Sequence, residues 1–167
     1  MNDATPRRVL FLCTGNSARS ILAEAILNRL GSGRFTGLSA GSHPRGAVHP
    51  LARAVLAARG HGTAGLRSKS WDEFAGAGAP PIDIVITVCD NAAGEVCPVW
   101  PGHPVTAHWG LPDPAAVAGP EAVRRAAFEA TYDVLAQRIA ALVSLPDDVL
   151  ESPALIARLR ALGAVSS

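Results

Sequence analysis

An eight-residue segment between a predicted strand and a predicted helix constrains this chain most. It runs from Cys13 to Ser20 and reads CTGNSARS. The apolar run 9–12 before it predicts a short buried strand, and residues 21–30 after it predict a helix that ends at Gly31. A turn from strand to helix directs backbone N–H groups toward one point, where the helix dipole also favours an anion. The segment therefore predicts an oxyanion site.

Two side chains suggest what the segment does with a bound oxyanion. Cys13 as a thiolate is a nucleophile, and the planar guanidinium of Arg19 matches two oxygens of the anion and favours the thiolate. Ser20 is placed to donate a hydrogen bond to the sulfur. The alternative is that Cys13 is an inert buried thiol at a strand end. The residues expected to bind the oxyanion are Thr14, Gly15, Asn16, Ser17, Ala18, Arg19 and Ser20.

Strand and helix patterns alternate along the chain, which predicts an α/β fold. The apolar runs are 9–12, 35–40, 82–88 and 105–109, and the helical patterns are 21–30, 50–59 and 128–142. This alternation favours a three-layer α/β/α domain around a four-stranded parallel sheet. Cys13, Cys89 and Asp113 each follow a predicted strand, so we expect them at the same edge of the sheet, where ligands of such folds bind.

Four segments carry a resemblance to a known family: 9–24, 38–42, 83–97 and 108–114. They resemble the low-molecular-weight protein tyrosine phosphatases and the arsenate reductases built on that flavodoxin-like fold. The resemblance implies a phosphatase-like domain over residues 1–145. Beyond it, 146–167 is predicted to be a helical extension in which Ser152 caps a helix that ends at Gly163.

Cys89 and Cys97 favour the arsenate reductase branch, because a phosphatase needs neither. The resemblance implies that arsenate becomes esterified on Cys13, that Cys89 then attacks Cys13 and releases arsenite, and that Cys97 attacks Cys89. This reduction needs no metal or flavin, no cofactor is expected to be bound apart from the potassium considered below, and the electron donor is thioredoxin, or glutaredoxin with glutathione. The alternatives for Cys89 and Cys97 are a structural zinc half-site, which lacks two further ligands in this chain, or two buried thiols.

The resemblance assigns further roles around the oxyanion. Asp113, between two prolines, would be the general acid that protonates the departing oxygen, although aspartate is also common in turns. His108 and Trp109 stand in place of the tyrosine-rich edge with which phosphatases hold an aryl ring. Ala18 replaces a cysteine found in many members, so no disulfide can form within the loop.

Some members of the reductase branch bind potassium beside the anion loop. The matching positions are Asn16, Glu24, Ser39 and Asp72, whose oxygens suit a hard cation. Alternatively, Glu24 is an ordinary helix residue and Asp72 belongs to the capping-box sequence that starts at Ser70. The five histidines are dispersed, and none is expected to bind a metal.

Composition limits the partners. The 167 residues carry a formal net charge of +1, so no nucleic-acid or membrane surface is expected. No apolar run reaches membrane-spanning length and the N-terminus lacks a signal-peptide core, which predicts a cytoplasmic protein. Three cysteines in such a chain favour redox or nucleophilic roles.

The sequence therefore predicts an arsenate reductase with a phosphatase side activity. Two alternatives stay open. One is a phosphatase for phosphotyrosine or small phosphomonoesters, which would use the same loop. The other is a non-enzymatic redox or oxyanion sensor whose cysteines alter a partner surface.

Overall fold

A parallel β-sheet forms the centre of the protein. The computed structural model describes residues 6–76, 78–88 and 104–163. Within these ranges four strands pair in the order β2-β1-β3-β4: β1 Arg7–Leu12, β2 Phe35–Ala40, β3 Ile84–Thr87 and β4 Val105–His108. All four residues of β3 and the last four of β1 are buried, since helices cover the faces of such a sheet.

The helices of the described chain connect or follow these strands. They are α1 Arg19–Leu30, α2 Pro50–Ala58, α3 Glu121–Val143, α4 Asp147–Leu150 and α5 Ala154–Gly163, with single 3-10 turns at Trp71–Phe74 and Pro114–Ala116. The predicted parallel sheet with flanking helices is confirmed. None of the helices in the described ranges is long and apolar enough to cross a lipid bilayer.

The boundaries of one helix differ from the predicted ones, because part of that helix consists of exposed residues. The periodic positions from Phe128 to Leu142 are buried, as predicted. However, α3 begins earlier, at Glu121. Its first two turns are largely exposed and have no apolar stripe, so the sequence pattern did not predict them. At the first 3-10 turn, Ser70 caps the backbone as its capping-box sequence indicates: Ser70 Oγ accepts the N–H of Asp72 at 3.1 Å.

The C-terminal segment packs onto the sheet. On α5, Leu155 and Leu159 are buried, and the indole N–H of Trp109 donates to Leu159 O at 2.9 Å. Gly163 lies so close to β4 that an added Cβ would be 2.5 Å from His108 O. The described part of the extension therefore covers the sheet at β4.

We predict that Leu159→Ala destabilises the whole protein. The side chain is fully buried, and such truncations cost about 2 to 5 kcal/mol of unfolding free energy. Urea denaturation measures this loss, and Arg158→Ala, a change at an exposed position of the same helix, is the control with a loss under about 0.5 kcal/mol. Equal, small losses in both variants would mean that α5 does not belong to the core.

Candidate active site

The loop between β1 and α1 forms the floor of the candidate site. It comprises residues 13–18, which we call the anion loop. Asn16 adopts a φ of 43°, a left-handed conformation that asparagine tolerates better than most residues. Ala18 precedes α1 and has no polar side chain with which to cap it. The first N–H groups of α1 therefore lack that side-chain partner, and the positive end of the helix dipole faces the loop.

A line of hydrogen bonds runs behind the Cys13 thiol. Cys13 Sγ lies 3.0 Å from Ser20 Oγ, and the side-chain amide of Asn16 donates to the same Oγ at 2.8 Å. Asn16 and Ser20 are fully buried, and Cys13 is 4% exposed. Because Asn16 donates to Ser20, the Ser20 hydroxyl proton remains available for the sulfur. A hydrogen bond of this kind stabilises a thiolate over a thiol.

The segment after β2 holds the outer side of the anion loop. Its backbone N–H groups at His43, Arg45 and His49 donate to the carbonyls of Thr14, Gly15 and Ser17 at 2.9, 3.0 and 2.8 Å. With these carbonyls satisfied on the outside, the loop is oriented by three bonds. Such an orientation leaves the inner side of the loop to N–H donors, as an anion site requires.

Gly41 lies where the backbone after β2 leaves no room for a side chain beside the loop. A Cβ at this position would lie 2.4 Å from Thr14 O and 2.7 Å from Cys13 O. Only glycine permits this approach. The glycine of the SAG sequence at the end of β2 thus sets the position of Cys13 and Thr14.

The anion loop lines a small cavity of about 230 Å³. Its walls come from the loop, the segment after β2 and the turn that contains Asp113. The lining residues are Cys13, Thr14, Gly15, Ser17, Ala18, Arg19, His43, Arg45, Asp113 and Ala115. Two guanidinium groups and one carboxylate therefore face a space that suits a small tetrahedral anion.

Arg19 and Asp113 meet at the rim of this cavity. One Arg19 nitrogen donates to Leu111 O at 2.8 Å, and another lies 3.8 Å from an Asp113 carboxylate oxygen. The other Asp113 oxygen accepts the N–H of Ala115 at 2.9 Å. Both predicted site residues thus lie at the cavity, and each is oriented by a backbone partner.

Arg45 and His43 were missed by the sequence interpretation. They follow β2, whose carboxyl end lies at the edge of the sheet that binds ligands, so their position after that strand was the available signal.

Arg45 also affects the pKa of His49. Burial is the main cause that lowers the pKa of His49, and the charges of Arg124 and Arg45 lower it further.

Trp109 does not border the cavity. It is fully buried, its ring lies 6.3 Å from that of Phe11, and it belongs to the core. Trp109 therefore offers no surface at the cavity to an aryl ring. Its apolar neighbourhood in the sequence was equally consistent with the end of a buried strand.

Cys89 and Cys97 lie outside the described residues. The chain before them is described up to Val88, whose N–H donates to Leu12 O at 2.9 Å. Leu12 immediately precedes Cys13. The backbone one residue before Cys89 is therefore one interstrand spacing from the start of the anion loop.

The four positions proposed for potassium do not form a cation site. The ammonium of Lys69 contacts Ser39 Oγ and a Glu24 carboxylate oxygen, and the backbone N–H of Lys69 donates to Asn16 Oδ1 at 2.8 Å. Asp72 is exposed on its 3-10 turn. The oxygens that would bind the ion are thus engaged by a lysine, and the potassium prediction is not supported.

We predict that Gly41→Ala weakens phosphate binding at the anion loop roughly tenfold or more. The new Cβ must displace the Thr14 and Cys13 carbonyls, and such overpacking costs about 1 to 3 kcal/mol. Isothermal titration calorimetry with inorganic phosphate measures the loss. Gly62→Ala is the control, because a Cβ there meets no atom within 4 Å. Unchanged affinity in Gly41→Ala would contradict the role given to Gly41.

Comparison with known proteins agrees with this geometry. Residues 8–152 match the family described as low molecular weight phosphotyrosine protein phosphatase. The arsenate reductase of Halalkalibacterium halodurans is 34% identical over 131 residues, which cover 78% of this chain and 91% of that protein. A crystal structure of arsenate reductase from Archaeoglobus fulgidus is 26% identical, with a TM-score of 0.63 over 82% of this chain and 99% of the other.

The name of a third relative includes its electron donor, thioredoxin. It is a thioredoxin-dependent arsenate reductase from Corynebacterium glutamicum, 25% identical, with a TM-score of 0.60 over 84% of this chain and 62% of the other. The family match spans most of the chain and includes the whole anion loop. The protein belongs to the low-molecular-weight phosphotyrosine protein phosphatase family, and within it resembles the arsenate reductases.

Proposed function

We propose that this protein reduces arsenate to arsenite, with Cys13 as nucleophile. The observation that carries the proposal is the position of Cys13 in the lining of a cavity that Arg19 and Arg45 also border, with Ser20 Oγ 3.0 Å from the sulfur. Relatives that match most of this chain at 33–34% identity are arsenate reductases. The two further cysteines supply what a reductase needs and a phosphatase does not.

The first step is formation of an ester between the protein and arsenate. The N–H groups of the anion loop and the Arg19 guanidinium hold the oxyanion, and Arg19 exchanges its partner Leu111 O for arsenate oxygens. The Cys13 thiolate attacks arsenic, and a sulfur–arsenic bond forms. One arsenic–oxygen bond breaks, and Asp113 protonates the departing oxygen, which leaves as water.

The second step is the reduction itself. The Cys89 thiolate attacks Cys13 Sγ, and a disulfide forms between the two residues. The sulfur–arsenic bond breaks, and its electron pair remains on arsenic, which changes from the pentavalent to the trivalent state and leaves as arsenite. The position of Val88 beside Leu12 supports this step, because it brings the backbone next to Cys89 close to the anion loop.

The third step restores the nucleophile. The Cys97 thiolate attacks Cys89, which releases the Cys13 thiolate and leaves a disulfide between Cys89 and Cys97. An external dithiol then reduces that disulfide with two electrons. We propose thioredoxin for this role, as in the Corynebacterium glutamicum relative, and glutaredoxin with glutathione as the alternative donor. Either donor operates in a reducing compartment, which fits a cytoplasmic enzyme.

Hydrolysis of phosphomonoesters is a second candidate activity. The family is one of phosphotyrosine phosphatases, and a loop that binds arsenate also binds phosphate. The cavity favours the smaller substrate, however. No phenylalanine, tyrosine or tryptophan is among its described lining residues, and the charged side chain of Arg45 lies beside Gly15. We therefore expect aryl phosphate hydrolysis to be the weaker activity.

We predict that Cys89→Ser abolishes steady-state arsenite production and leaves aryl phosphate hydrolysis largely intact. Only the reductase needs a second thiol to attack Cys13. Both activities are measured on one preparation, with thioredoxin, its reductase and NADPH for arsenate, and with p-nitrophenyl phosphate for hydrolysis. Arg19→Ala is the matched comparison and should lose both activities, because oxyanion binding is common to them.

Cys97→Ser distinguishes the electron donors. If thioredoxin reduces the Cys89–Cys97 disulfide, this variant loses turnover with thioredoxin. If glutathione reacts directly with the Cys13–Cys89 disulfide, turnover with glutaredoxin and glutathione persists. Parallel loss of reduction and hydrolysis in Cys89→Ser would contradict the assignment of Cys89 as a resolving thiol.

A further inference from the structure

Lys69 is a buried cation within the support of the anion loop. The residue is only 9% exposed. Its ammonium donates to Arg67 O at 2.9 Å and to Ser39 Oγ at 3.3 Å, and lies 3.6 Å from a Glu24 carboxylate oxygen. A buried charge is costly unless it is paired and hydrogen-bonded, and this one has both kinds of partner.

Glu24 is the anion that Lys69 compensates. Its side chain is 16% exposed, and the same carboxylate oxygen accepts the Ser39 hydroxyl at 2.5 Å. Burial lowers the pKa of Lys69, and the charge and hydrogen bond of Glu24 oppose that change. Glu24, Ser39 and Lys69 thus form one closed set, in which the ammonium lies beside two oxygens that are hydrogen-bonded to each other.

This set connects to Cys13 in two ways. The backbone N–H of Lys69 donates to Asn16 Oδ1, and Asn16 donates to the Ser20 hydroxyl beside Cys13 Sγ. In addition, Glu24 follows Ser20 by four residues on α1, so the two side chains lie on the same face of the helix, one turn apart. An uncompensated Glu24 carboxylate would therefore oppose a thiolate at Cys13.

We propose that Lys69 is an internal cation that takes the place of a bound potassium ion and keeps Cys13 in its reactive thiolate form. This inference deepens the proposed function and rests on Cys13 being its nucleophile. Lys69 is a positioning residue, since its ammonium acts through the charge of Glu24 and the residue does not line the cavity. Its ammonium already contacts the Glu24 and Ser39 oxygens that the ion would use, so potassium has no function in the unaltered protein.

Removal of the side chain should open this position to an ion. A cleft of about 370 Å³ on the outer side of α1 is lined by Glu24, together with Asn28 and Arg29. The carboxylate is thus within reach of solvent, and it keeps its negative charge when Lys69 is shortened. Potassium is close to an ammonium group in size, so it should bind beside Glu24 and Ser39 in a variant that lacks the Lys69 ammonium.

The first test uses the unaltered protein and therefore depends on no variant. The thermal unfolding midpoint and the pKa of the Cys13 thiol are measured in potassium chloride and in choline chloride at the same ionic strength. We expect no difference between the salts. A higher midpoint or a lower thiol pKa in potassium would overturn the proposal.

The second test follows Cys13 alone. In a Cys89→Ser, Cys97→Ser background, the rate of alkylation by iodoacetamide against pH reports the Cys13 thiolate. We expect Lys69→Gln to raise the midpoint of this profile by about one pH unit. Arg67→Gln is the matched control: it removes an exposed charge two residues away, which is paired with Glu73, and should leave the midpoint unchanged.

The third test asks whether potassium can replace the ammonium of Lys69. In Lys69→Ala, potassium should return the alkylation midpoint toward the wild-type value, and choline should not. Equal midpoints in Lys69→Gln and Arg67→Gln, or no response of Lys69→Ala to potassium, would overturn the proposal. Alkylation reports Cys13 whether or not arsenate is reduced, so failure here is distinguishable from failure of the proposed function.

Discussion

The active site depends on the close backbone contact between the end of β2 and the anion loop. Gly41 allows this contact, and the segment that follows bonds the carbonyls of Thr14, Gly15 and Ser17. A loop of this length has as many carbonyls as N–H groups, and an anion site requires the carbonyls to be satisfied elsewhere. The protein meets this requirement with three backbone bonds and the Ser68 hydroxyl, which also donates to Gly15 O, so the side chains of the loop remain available for chemistry.

Electrostatic balance is the second requirement. A buried thiolate needs positive partners, and a carboxylate one helix turn from Ser20 works against it. The helix dipole and Arg19 act on the cavity side, and Lys69 neutralises Glu24 on the other. Cys13 is thereby placed between a substrate-facing cation and a supporting one, which fits a nucleophile that must attack an anion.

Much of the fold and the centre of the site could be predicted from the sequence, because they depend on local patterns. The strands, α1 and α2 follow from apolar runs and their terminating residues, and Cys13 and Arg19 lie at the cavity as expected. Long-range placement could not be predicted. The segment with Arg45 and the backbone of Lys69 reach the loop only through tertiary contacts, and neither carries a periodic signal.

The most direct test of arsenate reduction is a single turnover without any electron donor. The fully reduced protein is mixed with excess arsenate, and arsenite and remaining thiols are counted per chain. The account predicts one arsenite released for each chain and two thiols lost as a disulfide. No arsenite, with all three thiols intact and p-nitrophenyl phosphate hydrolysed by the same preparation, would contradict it and identify a phosphatase instead.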